Sequence, residues 1–334
     1  LVVPVSTAEE LTERILDDAV VTMACAPLIH AAAQWTSMSW WLCGGRMVLL
    51  PGSFDGAEVW RQVAAEGVNI LILIGDAMAR PLLDAWEAEG PFEVPSLYTI
   101  SSGGAPLHPT NKTRLQEILP NLILADGYGS SETGSHATQR LMPGEDASKG
   151  TRFAMDPAVT CVLDENLQPV EPGSGNMGRV ARTGRMPLRY YGDPKKTAET
   201  FVEVDGVRWA VTGDQATVDT DGTITVLGRG SVSINTGGEK VFPEEVEAAL
   251  KTHPGVFDTV VVGVPDERWG ETVAAVVAPR EGTELTLDDL KAHVKGTIAG
   301  YKAPRKLVLV DEVVRSPTGK ADYPWAKERA SSEA

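Results

Sequence analysis

The sequence predicts an α/β chain with three textures in succession: a mainly parallel sheet interleaved with helices, a β-barrel-like part, and a small α+β unit at the C-terminal side. Three observations predict it. Short apolar runs alternate with helix-length segments up to about residue 125, the pattern of βαβ units. After residue 150 the apolar runs shorten and are parted by Gly, Asp and Pro, as in antiparallel sheets. Beyond a glycine-dense stretch at 228–238, helices and strands alternate again.

Taken in order, Ser6-Thr7-Ala8-Glu9-Glu10 offers an N-cap followed by acids, so a helix succeeds an opening loop. Residues 21–43 contain no Lys, Arg, Asp or Glu. That length could span a bilayer, but Pro27, His30, Gln34 and several Ser/Thr dilute its hydropathy, and no basic cluster flanks it. A strand over 21–24, a turn at Pro27 and a buried helix over 28–41 fit better, with no transmembrane segment. Trp35, Trp40 and Trp41 crowd that helix, either as core packing or as the wall of an apolar substrate pocket. Strands come next at 47–50, 69–74, 97–101 and 121–125, with helices at 55–66, 78–89 and 111–119 between them. Residues 69–74 are a run of Ile and Leu suited to a parallel strand buried on both faces. Short strands at 159–163, 178–182, 209–211, 216–218 and 224–227 form the barrel-like part, with a hairpin turn at Asp219-Thr220-Asp221-Gly222. Pro243 and Glu244-Glu245 open a helix over 243–250. Strands at 256–264, 273–279 and 306–310 and a helix at 287–298 complete the small unit.

The chain has 334 residues, enough for two or three domains. Hydrophobic residues make up 43% and charged residues 23%, an ordinary globular balance. Lys+Arg number 30 against Asp+Glu 46, a net charge of −16 that repels a phosphate backbone and argues against nucleic acid as partner. It leaves room for a nucleotide, which a few local cations and backbone amides can hold. Cys25, Cys43 and Cys161 show no CxxC or Cys/His ligand spacing, so neither a disulfide framework nor a zinc site is expected, and a cytoplasmic location is the default. The sequence starts at Leu1 with no basic n-region, which reads as a chain lacking its natural start rather than a secreted one. A homodimer stays open.

Chemistry concentrates in Asp126-Gly127-Tyr128-Gly129-Ser130-Ser131-Glu132-Thr133-Gly134. Three glycines let the backbone turn tightly and approach a ligand. A ring can cover a base, hydroxyls and amides can hold a phosphate, and a carboxylate can hold a hard cation such as Mg²⁺. Placed after an apolar strand, this loop suggests a nucleotide–metal site at the C-terminal end of a sheet. A Gly/Ser-rich surface loop is the bland alternative.

Five stretches then recur in order: Ser102-Gly103-Gly104-Ala105-Pro106-Leu107; the nonapeptide above; Thr212-Gly213-Asp214; Gly228-Arg229 with Gly237-Gly238-Glu239-Lys240-Val241-Phe242-Pro243-Glu244-Glu245-Val246-Glu247; and Ser316-Pro317-Thr318-Gly319-Lys320. Each alone is weak; together they resemble the adenylate-forming enzymes, the acyl-CoA synthetase and luciferase group. The wording around Asn235–Pro243 is similar to actinobacterial synthetases for long-chain or steroid side-chain acids. The resemblance implies the remainder of a large N-terminal adenylation domain over 1–227, a hinge over 228–236 and a mobile C-terminal domain over 237–334. It implies two steps: a carboxylate attacks the α-phosphorus of ATP to give acyl-AMP and pyrophosphate, then the thiol of coenzyme A displaces AMP. Positioned cations must offset the repulsion of two anions in the first step.

The same resemblance assigns roles. Gly104, Ala105 and Pro106 bound the adenine slot, Tyr128 lies on the base, and Asp126-Gly127 meet its polar edge. Ser131 donates to the α-phosphate and Glu132 ligates Mg²⁺. Asp214 accepts from the ribose hydroxyls with Arg229 nearby, and Lys320 reaches the oxygens between carboxylate and α-phosphate. His30, Trp35 and Gly129 line the acyl pocket, and Gly237, Gly238 and Glu239 line the path of the coenzyme A thiol. The implied partners are ATP, coenzyme A and an apolar carboxylic acid. Loading of a carrier protein, or a non-catalytic binding remnant, are the alternative readings. A Walker A reading of Gly319-Lys320 fails, because residue 314 is Val and residue 321 is Ala.

Departures matter too. The family's Ser/Thr/Gly-rich phosphate loop ending in Pro-Lys does not occur in this sequence, so little or no adenylation is expected of these residues alone. Ser231 and Val232 stand where many relatives carry a polar pivot, and Ala321-Asp322-Tyr323 replaces the common hydrophobic-then-Arg ending.

Overall fold

All four residues of Ile70–Leu73 are buried, and this strand sits inside a six-stranded sheet. The structure is a computed structural model, and it describes residues 5, 7–15, 18–50, 52–147, 151–316 and 320–332. Two compact units divide the chain, one built on Leu1–Asp156 and one on Pro157–Pro317 with Ala321–Ala334; Lys320 groups with the first.

The first unit opens with α1 (Ala8–Thr12), where Thr7 Oγ1 accepts from Glu10 N–H at 3.2 Å; Ser6, the other cap candidate, lies outside the described residues. Then come β1 (Val21–Ala24), α2 (Ala31–Leu42), β2 (Arg46–Leu49), α3 (Gly56–Glu66), β3 (Ile70–Leu73), α4 (Gly75–Glu89), β4 (Thr99–Gly103), α5 (Pro109–Ile118), β5 (Ile123–Ser130) and β6 (Gly134–Leu141). The sheet order is β2-β1-β3-β4-β5-β6, parallel throughout except for β6, which pairs antiparallel with β5. Helix ends obey their capping chemistry: Asp55 accepts from Glu58 N–H at 2.7 Å, and Gly67 ends α3 with φ +61°. The core holds Leu71, Leu73, Ile100, Leu124 and the fully buried Trp60, whose Nε1 donates to the Leu82 carbonyl at 2.8 Å.

Two expectations are corrected here. The nonapeptide is not a free loop: β5 runs on through Ser130 and turns tightly into β6. Nor is α2 a buried helix. Within it only Ala33 and Ser37 are buried, while Trp35 is 41% and Trp41 54% exposed. Trp40 alone of the three tryptophans packs on the core. No helix among the described residues is long and apolar enough to cross a membrane.

The second unit holds two sheets. In the first, β7 (Thr160–Leu163), β8 (Met177–Arg182), β9 (Phe201–Val204), β10 (Val207–Val218) and β11 (Ile224–Arg229) pair antiparallel in the order β11-β10-β8-β7, with β9 on β10 and α6 (Pro194–Thr200) leading into it. In the second, β12 (Ile234–Thr236), β13 (Glu239–Val241), β14 (Val256–Asp266) and β15 (Gly270–Pro279) are antiparallel, and β16 (Lys306–Leu309) joins β15 in parallel. Its helices are α7 (Pro243–Lys251), α8 (Leu287–Lys295) and α9 (Tyr323–Ser332). Alternation in β14 and β15 fills two cores. Val261, Val273, Ala275 and Val277 meet Val246, Leu250 and Leu290, whereas Val260, Val262, Ala274 and Val276 meet Ala326 and Ala330 of α9.

Candidate active site

Parallel strands end on one edge, and the first unit gathers its chemistry there. In the β4–β5 register Ser102 faces Asp126 and Gly103 faces Gly127. The Gly104-Ala105-Pro106 turn therefore leaves the sheet beside the strand that carries Tyr128, the place where open α/β sheets bind ligands. Space is tight between them: a Cβ on Gly103 would stand 3.3 Å from the Gly127 carbonyl oxygen and 3.4 Å from the Ala32 methyl. The same edge brings the start of α2 close. His30 is its N-cap residue and is 9% exposed.

Tyr128 is half-buried. Its ring is stacked with that of His136 (centroids 5.0 Å apart, planes at 16°) and tilted against Phe153 (5.2 Å). A bulge at Tyr128/Gly129 re-aims this ring, and it requires glycine: a Cβ on Gly129 would lie 2.3 Å from the Gly134 oxygen. Thr133 closes the turn, its Oγ1 accepting from Ser130 N–H (3.2 Å) and donating to the Gly134 carbonyl (3.1 Å). Ser131 is thereby held exposed at the tip, with Glu132 half-buried beside it. The Asp126 carboxylate is engaged in the protein: Oδ2 accepts from buried Lys112 Nζ (2.8 Å) and from Thr151 Oγ1 (2.9 Å).

Thr212-Gly213-Asp214 lies at an irregularity of β10, where pairing to β8 breaks between Val211 and Gln215. Thr212 Oγ1 donates to the Val180 carbonyl (2.9 Å) and accepts from Asp214 N–H (3.2 Å), so the break is pinned and Asp214 leaves the regular pleat. Across the ladder Asp214 pairs with Arg229, whose Nε donates to Oδ1 at 3.3 Å. Arg229 N–H in turn donates to Glu244 Oε1 (3.3 Å), a carboxyl held above its usual range by burial. Gly228 has φ +138°, and a Cβ there would reach Glu244 Oε2 at 2.3 Å. Gly230–Val232 form one helical turn before β12.

Gly237 packs under an indole. Its φ is +62°, its N–H donates to the Trp269 carbonyl (2.9 Å), and a Cβ would stand 2.7 Å from the Trp269 ring. The guanidinium carbons of Arg268 and Arg305 lie 4.6 and 4.5 Å from the ring centroid. Gly238, with φ +90°, and Glu239 are exposed. Lys320 is exposed as well; Pro317, Thr318 and Gly319 before it lie outside the described residues. Both flanks are anchored: Arg315 makes a two-pronged pair with Asp258 (2.8 and 2.6 Å) and bridges to Ala321. Tyr323 comes next, its phenol driven well above the ordinary range by burial and by the charges of Glu247 and Glu244.

The sequence profile of the AMP-binding enzyme matches residues 3–191, and that of the AMP-binding enzyme C-terminal domain matches residues 245–320. The chain belongs to the AMP-binding enzyme family. Among its relatives is the medium/long-chain-fatty-acid–CoA/3-oxocholest-4-en-26-oate–CoA ligase of Mycobacterium marinum, 51% identical over 307 residues covering 92% of this chain and 55% of that protein. The 3-oxocholest-4-en-26-oate–CoA ligase of Rhodococcus rhodochrous is 50% identical over 309 residues, 91% of this chain and 55% of that one. The chain thus spans about half the length of these relatives. Of solved structures, the anthranilate CoA ligase AuaEII in complex with anthranoyl-AMP has a TM-score of 0.81 at 23% identity, over 94% of this chain and 60% of that one. The amide bond synthetase McbA from Marinactinospora thermotolerans has a TM-score of 0.77 at 24% identity, over 96% and 64%. At such identities the likeness is one of fold.

Each unit brings together its own share of the predicted residues. The first gathers His30, Gly104–Pro106 and Asp126–Glu132 on one sheet edge; the second gathers Asp214 with Arg229. Trp35 stands exposed on α2. Sequence reading missed His136 and Phe153 behind Tyr128, and Trp269 over Gly237. None of the three carried a local signal in the sequence, Trp269, far along the chain from Gly237, least of all.

Proposed function

We propose that this chain is the larger part of an ATP-dependent acyl-CoA synthetase for an apolar carboxylic acid, working through an acyl-AMP. One observation carries the reading: the Gly104-Ala105-Pro106 turn and the Tyr128 strand are neighbours in register at the C-terminal edge of a parallel sheet. Tyr128, stiffened by His136 and Phe153, covers the adenine; Ala105 and Pro106 bound it; the backbone at Asp126-Gly127 meets its polar edge. Ser131 donates to the α-phosphate. Asp214 takes the ribose hydroxyls, which an acceptor-only carboxylate suits, with Arg229 beside it. Lys320 supplies a point charge to the oxygens between carboxylate and α-phosphate.

The donor set fits Mg²⁺. Among the described residues no group of three His, Cys, Asp or Glu could hold a metal by itself. Mg²⁺ favours one or two carboxylates plus substrate phosphates, and Glu132 beside the phosphate-facing Ser131 offers such a carboxylate. Bound there, the ion would offset charge on the phosphates. For coenzyme A, Gly237-Gly238-Glu239 leave room for a narrow thiol-bearing arm, and Trp269 with Arg268 and Arg305 offers a ring and two cations to its nucleotide end. The acid enters near His30, Trp35 and Gly129, and the relatives' names point to fatty acids and steroid side-chain acids. We place the adenylation part at 1–227, the hinge at 228–236, the mobile domain at 237–334, and the enzyme in the cytoplasm.

The test is product analysis. The protein at the full length of its relatives, given ATP, Mg²⁺, coenzyme A and palmitate or a C26 steroid acid, should yield AMP, pyrophosphate and the thioester. Residues 1–334 alone, which contain no Pro-Lys-ended phosphate loop, should show little or no ATP–pyrophosphate exchange. AMP formation without thioester, even at saturating coenzyme A, would overturn the proposal.

A further inference from the structure

The turn that bears Gly104, Ala105 and Pro106 is fastened to the start of α4 on both sides. Before it, Ser102 Oγ accepts from Gly75 N–H at 3.1 Å. At its end, the Pro106 carbonyl accepts from Asp76 N–H at 3.1 Å. Gly75 has φ +49°, and a Cβ there would stand 2.3 Å from the Pro106 oxygen, so the two backbones meet where no side chain fits. On the far side of the turn, one carboxylate ties down the start of α5. Asp76 Oδ1 accepts from His108 N–H (2.9 Å) and Asn111 Nδ2 (2.8 Å), and Oδ2 is bound to His108 Nδ1. Asp76 is only 4% exposed, so its oxygens are matched within the protein rather than by bulk water.

None of these three residues faces a reacting group in the nucleotide reading. Yet the turn they hold has no ladder of its own beyond Gly103, and Gly104 and Pro106 are exposed. A loop of that kind loses conformational entropy when a ligand docks on it, unless something else has already fixed it. We propose that Asp76, acting through His108 and Asn111, is the positioning residue that fixes the Gly104–Pro106 edge and so sets the affinity and base preference of the slot. The inference rests on reading that edge as the adenine slot.

AMP is the probe, since it needs no cradle for β- and γ-phosphates. Calorimetric titration of AMP and GMP into the 334-residue chain compares wild type with Asp76→Ala, Asp76→Asn and His108→Ala, and with Val63→Ala, a core truncation elsewhere in the same unit. Asp76→Ala should weaken AMP binding by about tenfold or more and narrow the preference for AMP over GMP. Asp76→Asn keeps one acceptor oxygen and His108→Ala keeps the backbone donor, so both should fall between. Should Asp76→Ala not fold, these two carry the test. Val63→Ala should bind AMP as wild type does despite a lower Tm. Unchanged AMP affinity in the Asp76 and His108 variants, or an equal loss in Val63→Ala, overturns the inference and leaves the nucleotide reading standing. A wild-type chain that binds no AMP overturns both.

Discussion

Glu247 lies on α7 with its carboxyl inside the small-domain core. Its Oε1 accepts from Val261 N–H at 2.9 Å, while burial pushes its pKa up to about 7 and Lys251 draws it down. A carboxyl raised in the fold above its ordinary value of 4.5 stabilises most when both states are protonated. That contribution is intact below pH ~4.5 and is lost as pH rises towards 7. Glu247→Gln, neutral at every pH and of the same shape, should flatten that loss. Urea denaturation of both proteins at pH 4.5, 5.5 and 7 checks it. Parallel pH profiles would show that the Glu247 proton is not the cause. No local pattern announces such a residue: in sequence Glu247 is one acid among three in Glu244-Glu245-Val246-Glu247, and only the β14 amide above it sets it apart.

At the scale of elements, the β5–β6 hairpin and the β10 break each turn on one glycine, with opposite demands. A Cβ at Gly129 would collide with the backbone oxygen of Gly134 at 2.3 Å, whereas a Cβ at Gly213 would meet nothing within 4 Å. Gly129→Ala should therefore spread the hairpin, turn Tyr128 off His136 and weaken AMP binding. Gly213→Ala should stay within about 0.5 kcal/mol of wild-type stability and keep Asp214 in place. Thermal melts together with AMP titration separate the two, and equal behaviour would contradict the bulge as the source of the Tyr128 geometry. The same elements show what the sequence could disclose. Ile70–Leu73, β14 and β15 were legible because short runs dense in Ile, Leu, Val and Ala, bounded by turn residues, fit strands buried on both faces. The hairpin was not, since Gly-Tyr-Gly-Ser-Ser-Glu-Thr-Gly carries the composition of a loop while its pairing depends on a bulge. The uncharged α2 stretch reads as buried, yet lack of charge says nothing about what covers Trp35 and Trp41. Helix α9 lies beyond the last element expected from the sequence, although Ala326 and Ala330 are fully buried. The five motifs were legible as local strings; the Asp76–His108 contact, 32 residues apart, was not.

Taken as a whole molecule, the net charge of −16 means that a nucleotide must be held by local donors rather than by the global field. On the proposed reading, weight falls on few groups: the Gly104–Pro106 edge, the Tyr128 hairpin, the Asp214–Arg229 pair and Lys320. Lys320 is exposed, between a strand-like bridge at Arg315 and the start of α9, and burial gives it no structural duty. Its proposed duty is confined to the first half-reaction, where the carboxylate meets the α-phosphate. The decisive measurement takes the protein at full relative length and tracks both half-reactions in Lys320→Ala. Acyl-AMP formation should fall by on the order of a hundredfold or more, as expected on removing a positioned charge from an anionic transition state. Conversion of supplied acyl-AMP and coenzyme A to thioester should stay near the wild-type rate. An equal loss in both half-reactions, or none in the first, would contradict the adenylate site proposed for this chain.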